Sequence, residues 1–410
     1  MKHPIRAAVR CLGAFGLSLS AFAVSAAPQY DPGASATEIR IGNTAPYSGP
    51  ASAYSVMAKV EAAYFKMIND QGGINGRKIT FISYDDGFLP PKAVEQTRKL
   101  VESDNVLLVF QSMGTAANTA IQPYLNSKKI PQLFAGTGAG RFGDPKRAPW
   151  ATNWTPNYQT EGRIYGTYIL ENHPSAKIGV LYQNDDFGKD ILKGLKEGLG
   201  SHGVGQIVAQ VPYELSDPTV DSRVLALKAS GADVVVNAAT PKFAAQVIRK
   251  MADIGWAPIH VLSGISISVG SVLTPAGLDN SKGILSASYV KDPTDTTWAS
   301  DPALTEWEAF LQKYYPEADR ADNNVVQAYM VSQLMVQVLK QCGDNLTREN
   351  IMAQAANLKD FELGMLLPGI TVNTSATNYS PINQMQMMRF DGERWRMFGP
   401  VISAGDVSSK

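Results

Sequence analysis

The sequence predicts an α/β protein of two doubly wound lobes, and three observations carry that prediction. From residue 38 short β-rich runs alternate with amphipathic stretches, and the alternation starts again after "NWTPNYQ" (153–159). The chain of 410 residues is also longer than one hydrophobic core usually serves.

In the first half, "IRIGNTAP" (39–46), "KITFISY" (78–84), "VLLVF" (106–110) and "PQLFA" (131–135) read as strands. Helical patterns near 54–71, 91–103 and 115–127 separate them. In the second half a helix near 159–172 precedes four more strands, "KIGVLY", "QIVAQV", "ADVVVNA" and "PIHVLS". From 286 onward the composition changes. "DPALTEWEAFLQKYY", "NNVVQAYMVSQLMVQVLKQC" and "TRENIMAQAANL" read as helices, the last with Asn345 and Thr347 as caps. "MQMMRFDGERWRMFGPVI" reads as a hairpin turning at Asp391-Gly392. These pieces must pack back onto the two sheets, which implies interlobe crossings near 154, 288 and 365.

The amino end reads as a secretory leader over residues 1–26. Lys2, Arg6 and Arg10 form a basic start, "CLGAFGLSLSAFAV" is apolar but too short to span a bilayer, and Val24-Ser25-Ala26 offers small residues for cleavage. Its removal takes Lys+Arg from 37 to 34 against 37 Asp+Glu, a net charge of −3, so nothing points to nucleic acid. Cys342 is then the one remaining thiol and can form no internal disulfide.

The stretch "QLFAGTGAGRFGDP" (132–145) poses the functional question. Its glycines approach the spacing of a dinucleotide loop, but they follow a fourth strand rather than a first. Arg141, Phe142, Asp144 and Pro145 then break the helix such a loop needs, so no cofactor is implied. Glycines at the carboxyl end of a strand also let a backbone approach a ligand closely. A second turn, "FQSMGTAAN" (110–118), offers Ser112, Thr115 and the free N–H groups of a helix start, a setting that suits a carboxylate. The plain alternative is a helix turn that needs Gly114 and nothing more. Asp85-Asp86 and Asp185-Asp186 read as helix caps and surface turns, and the four histidines lack metal spacing.

The amino-terminal region, with Ser48-Gly49-Pro50, Tyr54, Gly72-Gly73-Ile74-Asn75-Gly76 and Tyr84-Asp85-Asp86, resembles the leucine/isoleucine/valine-binding proteins, the solute-binding subunits of ABC importers. "VLYQNDDFGKDILKGLKEGL" (180–199) resembles the opening of that family's second lobe, and the likeness runs from about 38 to 400. It implies a type I periplasmic-binding-protein fold, two lobes joined by a multi-strand hinge, with 37–154 plus 289–364 as lobe 1 and 155–288 plus 365–405 as lobe 2. It also implies a periplasmic, non-enzymatic protein that is expected to be a monomer and to deliver a small solute to membrane permease subunits.

Carried over residue by residue, the resemblance puts Tyr54 on the pocket as an aromatic wall and Ser112 as the hydroxyl that binds a solute carboxylate. Gly136, Thr137 and Gly138 fall on the carboxylate loop, with the threonine one position early. Phe187 stands where the amino-acid binders have tyrosine. Tyr158 is either a pocket wall or packed within its own lobe. Gly264 begins the segment where an acidic partner for a solute ammonium is expected, yet "LSGISISVGS" (262–271) holds no carboxylate. An unpaired buried ammonium is costly, so the expected ligand is an apolar or aromatic carboxylate without an α-amino group, with a hydrophobic amino acid as the alternative. A ligand-sensing receptor domain would share the fold. A secreted α/β enzyme would need a nucleophile with its base, a metal cluster or a cofactor loop.

Overall fold

A computed structural model describes Met1 and residues 27–403; residues 2–26 of the expected leader and residues 404–410 lie outside the described residues. The first lobe is built on a parallel sheet of β1 (Glu38–Ala45), β2 (Lys78–Asp85), β3 (Leu108–Phe110), β4 (Gln132–Ala135) and β5 (Ala151–Asn153). Their order in space is β2-β1-β3-β4-β5. The second sheet contains β6 (Ile178–Gln183), β7 (Ile207–Tyr213), β8 (Val234–Ala238), β9 (Ile259–Leu262) and β10 (Leu285–Ser288), followed by the hairpin β11 (Gln384–Phe390) and β12 (Trp395–Ser403). Its order is β12-β11-β10-β9-β8-β6-β7, with the hairpin strands antiparallel and the rest parallel.

Parallel sheets bury both faces, which is why β3, β4 and β8 read as continuous apolar runs rather than alternating ones. The covering helices of lobe 1 are α1 (Ser55–Asp70), α2 (Pro90–Glu102) and α3 (Thr115–Ser127); lobe 2 carries α4 (Tyr158–Asn172), α5 (Asp186–Gly203), α6 (Asp221–Ala229) and α7 (Pro241–Asp253). Beyond the second sheet come α8 (Pro302–Tyr314), α9 (Asn323–Cys342) and α10 (Arg348–Ala355), of which α8 and α9 pack on α1. In each lobe the strand order reverses once, between β1 and β3 and between β6 and β8. Crevices open there at the carboxyl ends of the strands, the usual seat of a ligand in such sheets.

The short strands β5 and β10 are absent from the sequence reading because three or four residues such as "ATN" and "LSAS" carry no measurable period. A further correction concerns the third crossing. Segments 289–291 and 365–367 run antiparallel side by side, with Lys291 N–H donating to Met365 and Leu367 N–H to Tyr289. The chain does not then enter lobe 2 at 365. Val372 pairs with Phe361, the Thr374 hydroxyl donates to Ala355 and accepts from Leu358, and Tyr379 N–H donates to Gly143. Residues 371–380 therefore dress lobe 1, where they satisfy backbone groups left open at the end of α10.

Helices α4 and α5 pack almost backbone to backbone. A Cβ on Gly162, Gly166, Gly194 or Gly198 would collide with main-chain atoms of the facing helix. That tight pairing fixes where the two helices begin, and both begin at the cleft.

Candidate functional site

The two switch points face each other across a narrow cavity lined by residues of both lobes. Lobe 1 lines it with Tyr54 ahead of α1, Phe88 after β2, and Gln111, Met113, Gly114 and Thr115 after β3. Gly136 follows β4, and Trp154, Thr155 and Tyr158 come from the segment between the lobes. Lobe 2 contributes Gln183 and Phe187 around the start of α5, Thr240 after β8 and Ile265 after β9, while Asn324 and Gln327 reach in from α9. None of the described lining residues is Asp, Glu, Lys, Arg or His.

Of the residues expected from sequence, Tyr54, Gly136, Tyr158 and Phe187 meet on this cavity. The Tyr158 and Phe187 rings stand edge to face with centroids 4.8 Å apart, a geometry set by the paired starts of α4 and α5. Burial pushes the Tyr158 phenol up to about 12, partly offset by the Gly138 main chain and the Thr137 and Thr115 hydroxyls. Tyr54 bridges the lobes: its hydroxyl donates to the Ile265 carbonyl at 3.2 Å.

Ser112, Thr137, Gly138 and Gly264 are placed differently. The Ser112 hydroxyl is buried without a partner among the described residues and does not line the cavity. Past the left-handed Gln111 (φ 52°) the chain goes on pairing, Met113 with Gly136, and a second left-handed step at Gly114 (φ 98°) opens α3, where Thr115 reaches the cavity. Thr137 sits behind Thr115, their hydroxyl oxygens 2.8 Å apart, and also accepts from Ala139 N–H at 3.1 Å. A Cβ on Gly138 would collide with the Pro156 carbonyl and the Tyr158 ring, so this glycine admits the interlobe segment rather than a ligand. Two residues on, Gly140 N–H donates across the lobes to Asp190 at 3.1 Å, while Gln159 Nε2 holds the other oxygen of Asp190 at 2.9 Å. The glycine loop is thus divided between cavity, interlobe segment and latch.

Gly264 N–H donates at 2.8 Å to Glu161, a buried carboxyl from α4 that also accepts from the Ser263 and Tyr165 hydroxyls at 2.8 and 3.0 Å. Burial raises the Glu161 pKa, and the Gly264, Ser263 and Tyr165 donors pull it back. A carboxylate therefore does stand beside 264, delivered from about a hundred residues upstream, but it is absent from the cavity lining. The acidic pairs are structural. Asp185 caps α5 through the N–H groups of Phe187 and Gly188, Asp86 accepts from Phe88 N–H, and Asp85 pairs with Lys92 at 2.7 Å.

The lobe 2 wall is a closed polar network. Gln183 accepts from the Tyr213 and Thr240 hydroxyls and donates to Asp185. On the other side α3 begins at the cavity with no side-chain cap on Gly114, so its first N–H groups and positive dipole end face the space beside Thr115. Such a helix start accommodates an anion without a basic side chain. Among the described residues no group of three or more metal-ligating side chains is placed to hold an ion, and no helix is long and apolar enough to cross a membrane.

Two open sheets facing their switch points across a partly open cavity, with no charged side chain among its described lining residues, define a two-lobed solute receptor. The chain belongs to the periplasmic binding protein family, whose profile matches residues 38–394, and within it to the group resembling the Leu/Ile/Val-binding proteins of ABC transporters. The Leu/Ile/Val-binding protein homolog 7 of Brucella suis biovar 1 (strain 1330) is 22% identical over 393 residues, covering 92% of this chain and 94% of the relative. A branched-chain amino acid ABC transporter protein from Thermus thermophilus, solved with bound valine, superimposes with a TM-score of 0.79 at 14% identity, over 90% of this chain and 98% of that one. An ABC transporter solute-binding protein from Rhodopseudomonas palustris BisB5, in complex with 3,4-dihydroxy benzoic acid, gives a TM-score of 0.74 at 18% identity, over 90% and 98%. The fold is the type I periplasmic-binding-protein fold, and family members are solute-binding proteins that work with ABC transporter permeases.

Proposed function

We propose that this chain is a non-enzymatic, monomeric receptor that captures a small carboxylate without an α-amino group and presents it to an importer. The observation that carries the reading is the cavity wall: aromatic and aliphatic groups, neutral amides and hydroxyls, an uncapped helix start, and no carboxylate to meet an ammonium. The α3 start and Thr115 hold the carboxylate, while Tyr54, Phe88, Tyr158 and Phe187 bury the apolar body. Binding stabilises the closed arrangement because the ligand touches both lobes only when they meet. Export with cleavage near Ala26 belongs to the same reading.

One observation favours a second reading. Glu161 lies directly behind Gly264, and a ligand ammonium that reached it would restore an amino-acid receptor. A thermal-shift screen of aliphatic and aromatic acids, 2-oxo acids and amino acids separates the two, because a ligand that binds only the folded state raises the melting temperature. The proposal expects the largest shifts from acids without an amino group; shifts confined to α-amino acids refute it.

A further inference from the structure

Among the described residues of the cavity wall, Gln111 is the one whose side chain has two unpartnered polar atoms. It is 2% exposed, it lines the cavity, and neither its Nε2 nor its Oε1 has a hydrogen-bond partner. Its backbone is left-handed, with φ 52°, a conformation that costs a residue bearing a Cβ and that collects at functional sites. The surroundings hold it there: Gln111 N–H donates to Leu133 at 3.0 Å, and Asn43 Nδ2 donates to the Gln111 carbonyl at 3.2 Å. Gly136 leaves room for the amide, since a Cβ at 136 would stand 2.5 Å from Oε1 and displace it. Two more unpartnered polar atoms belong to the same wall, the indole N–H of Trp154 and the hydroxyl of Thr155.

The amide needs a donor for Oε1 and an acceptor for Nε2 at once. A carboxylate serves only Nε2 and sets negative charge against Oε1. An ammonium serves only Oε1. A hydroxyl can give a hydrogen bond to Oε1 or take one from Nε2, and in either role it sets no charge against the other amide atom. We infer that Gln111 is a specificity-determining residue that reads a hydroxyl on the ligand, so that the solute is a hydroxylated carboxylic acid. The inference rests on the carboxylate reading above for the other end of the ligand.

Calorimetry on two matched series tests it: 3-phenylpropanoate with its 2-, 3- and 4-hydroxyphenyl analogues, and phenylalanine with ortho-, meta- and para-tyrosine. In one series a hydroxyl isomer should bind about ten-fold tighter than its unsubstituted parent. Gln111→Leu should erase that advantage, bringing the affinity ratio of isomer to parent to within about two-fold of one, and Gly136→Ala, which displaces the amide without removing it, should reduce it. Melting curves of both variants check that the fold persists. Should Gln111→Leu not fold, the Gly136→Ala result decides. The inference is overturned if no isomer outbinds its parent, if the advantage survives both substitutions, or if neither series binds. An advantage seen only among the amino acids, and erased by Gln111→Leu, supports the role of Gln111 while refuting the amine-free reading.

Discussion

Tyr54 and Ile265 belong to opposite lobes, and the Tyr54 hydroxyl donates to the Ile265 carbonyl at 3.2 Å beside the cavity that both residues line. This bond exists only while the lobes are together. It links the wall of the site to the closure that makes the site. Tyr54→Phe keeps the ring and removes the bond, so ligand affinity should fall by about 0.5 to 1.5 kcal/mol, the usual net worth of a neutral hydrogen bond. Calorimetry with any ligand from the screen measures it, and unchanged affinity would mean that the bond contributes nothing to closure.

The carboxylate end gives a paired prediction. Thr115 faces the cavity and Ser112 does not. Thr115→Val should weaken acid binding by about 1.5 to 3 kcal/mol, the range for a hydrogen bond to a charged group, whereas Ser112→Ala should change it by less than about 0.5 kcal/mol. The reverse ranking would return the carboxylate to Ser112.

Which parts of the site could be read from sequence depends on the kind of signal each residue carries. Gly136 sits in a glycine loop at a strand end, the family resemblance puts Tyr54 and Phe187 on the pocket, and Tyr158 stays open between pocket wall and packing in its own lobe; all four line the cavity. Ser112 and Thr115 are three residues apart in a single turn. Which hydroxyl faces inward is settled where the chain stops pairing after Met113 and steps through the left-handed Gly114, and spacing does not reveal that point. Glu161 reaches Gly264 through tertiary packing of α4 on lobe 2, a contact 103 residues long in sequence that leaves no local trace. Asn324 and Gln327 were hidden for another reason: they interrupt the apolar run of α9 without changing its helical period. The lobes themselves were legible because strand and helix periods alternate over long stretches. The crossing near 365 was not, since a loop held by the Thr374 hydroxyl resembles any polar connection.

Glu61 offers a test of the lobe 1 core away from the ligand. On the inner side of α1 its carboxyl is fully buried, neither oxygen has a partner, and burial raises its pKa well above the ordinary 4.5. The folded protein keeps a proton that the unfolded chain has released, so the contribution of Glu61 to stability declines as pH rises from 4.5 through the raised native value. Glu61→Met removes the titration. Its melting temperature relative to the parent protein should therefore climb as pH rises above the ordinary carboxyl value of 4.5. A difference that stays constant across that range would show that Glu61 does not titrate with folding.

Among the described residues no carboxylate lines the cavity to meet an ammonium, and calorimetric comparison of each amino acid with its own 2-oxo acid tests that most directly. Leucine with 4-methyl-2-oxopentanoate and phenylalanine with phenylpyruvate are matched in size and differ at the α-carbon. The 2-oxo acid should bind at least about ten-fold tighter in the pair that fits the cavity, about 1.4 kcal/mol. An amino acid that binds as tightly as its 2-oxo acid or tighter, with the binding lost in Glu161→Gln, would contradict the account and make Glu161 the anchor of an amino-acid receptor.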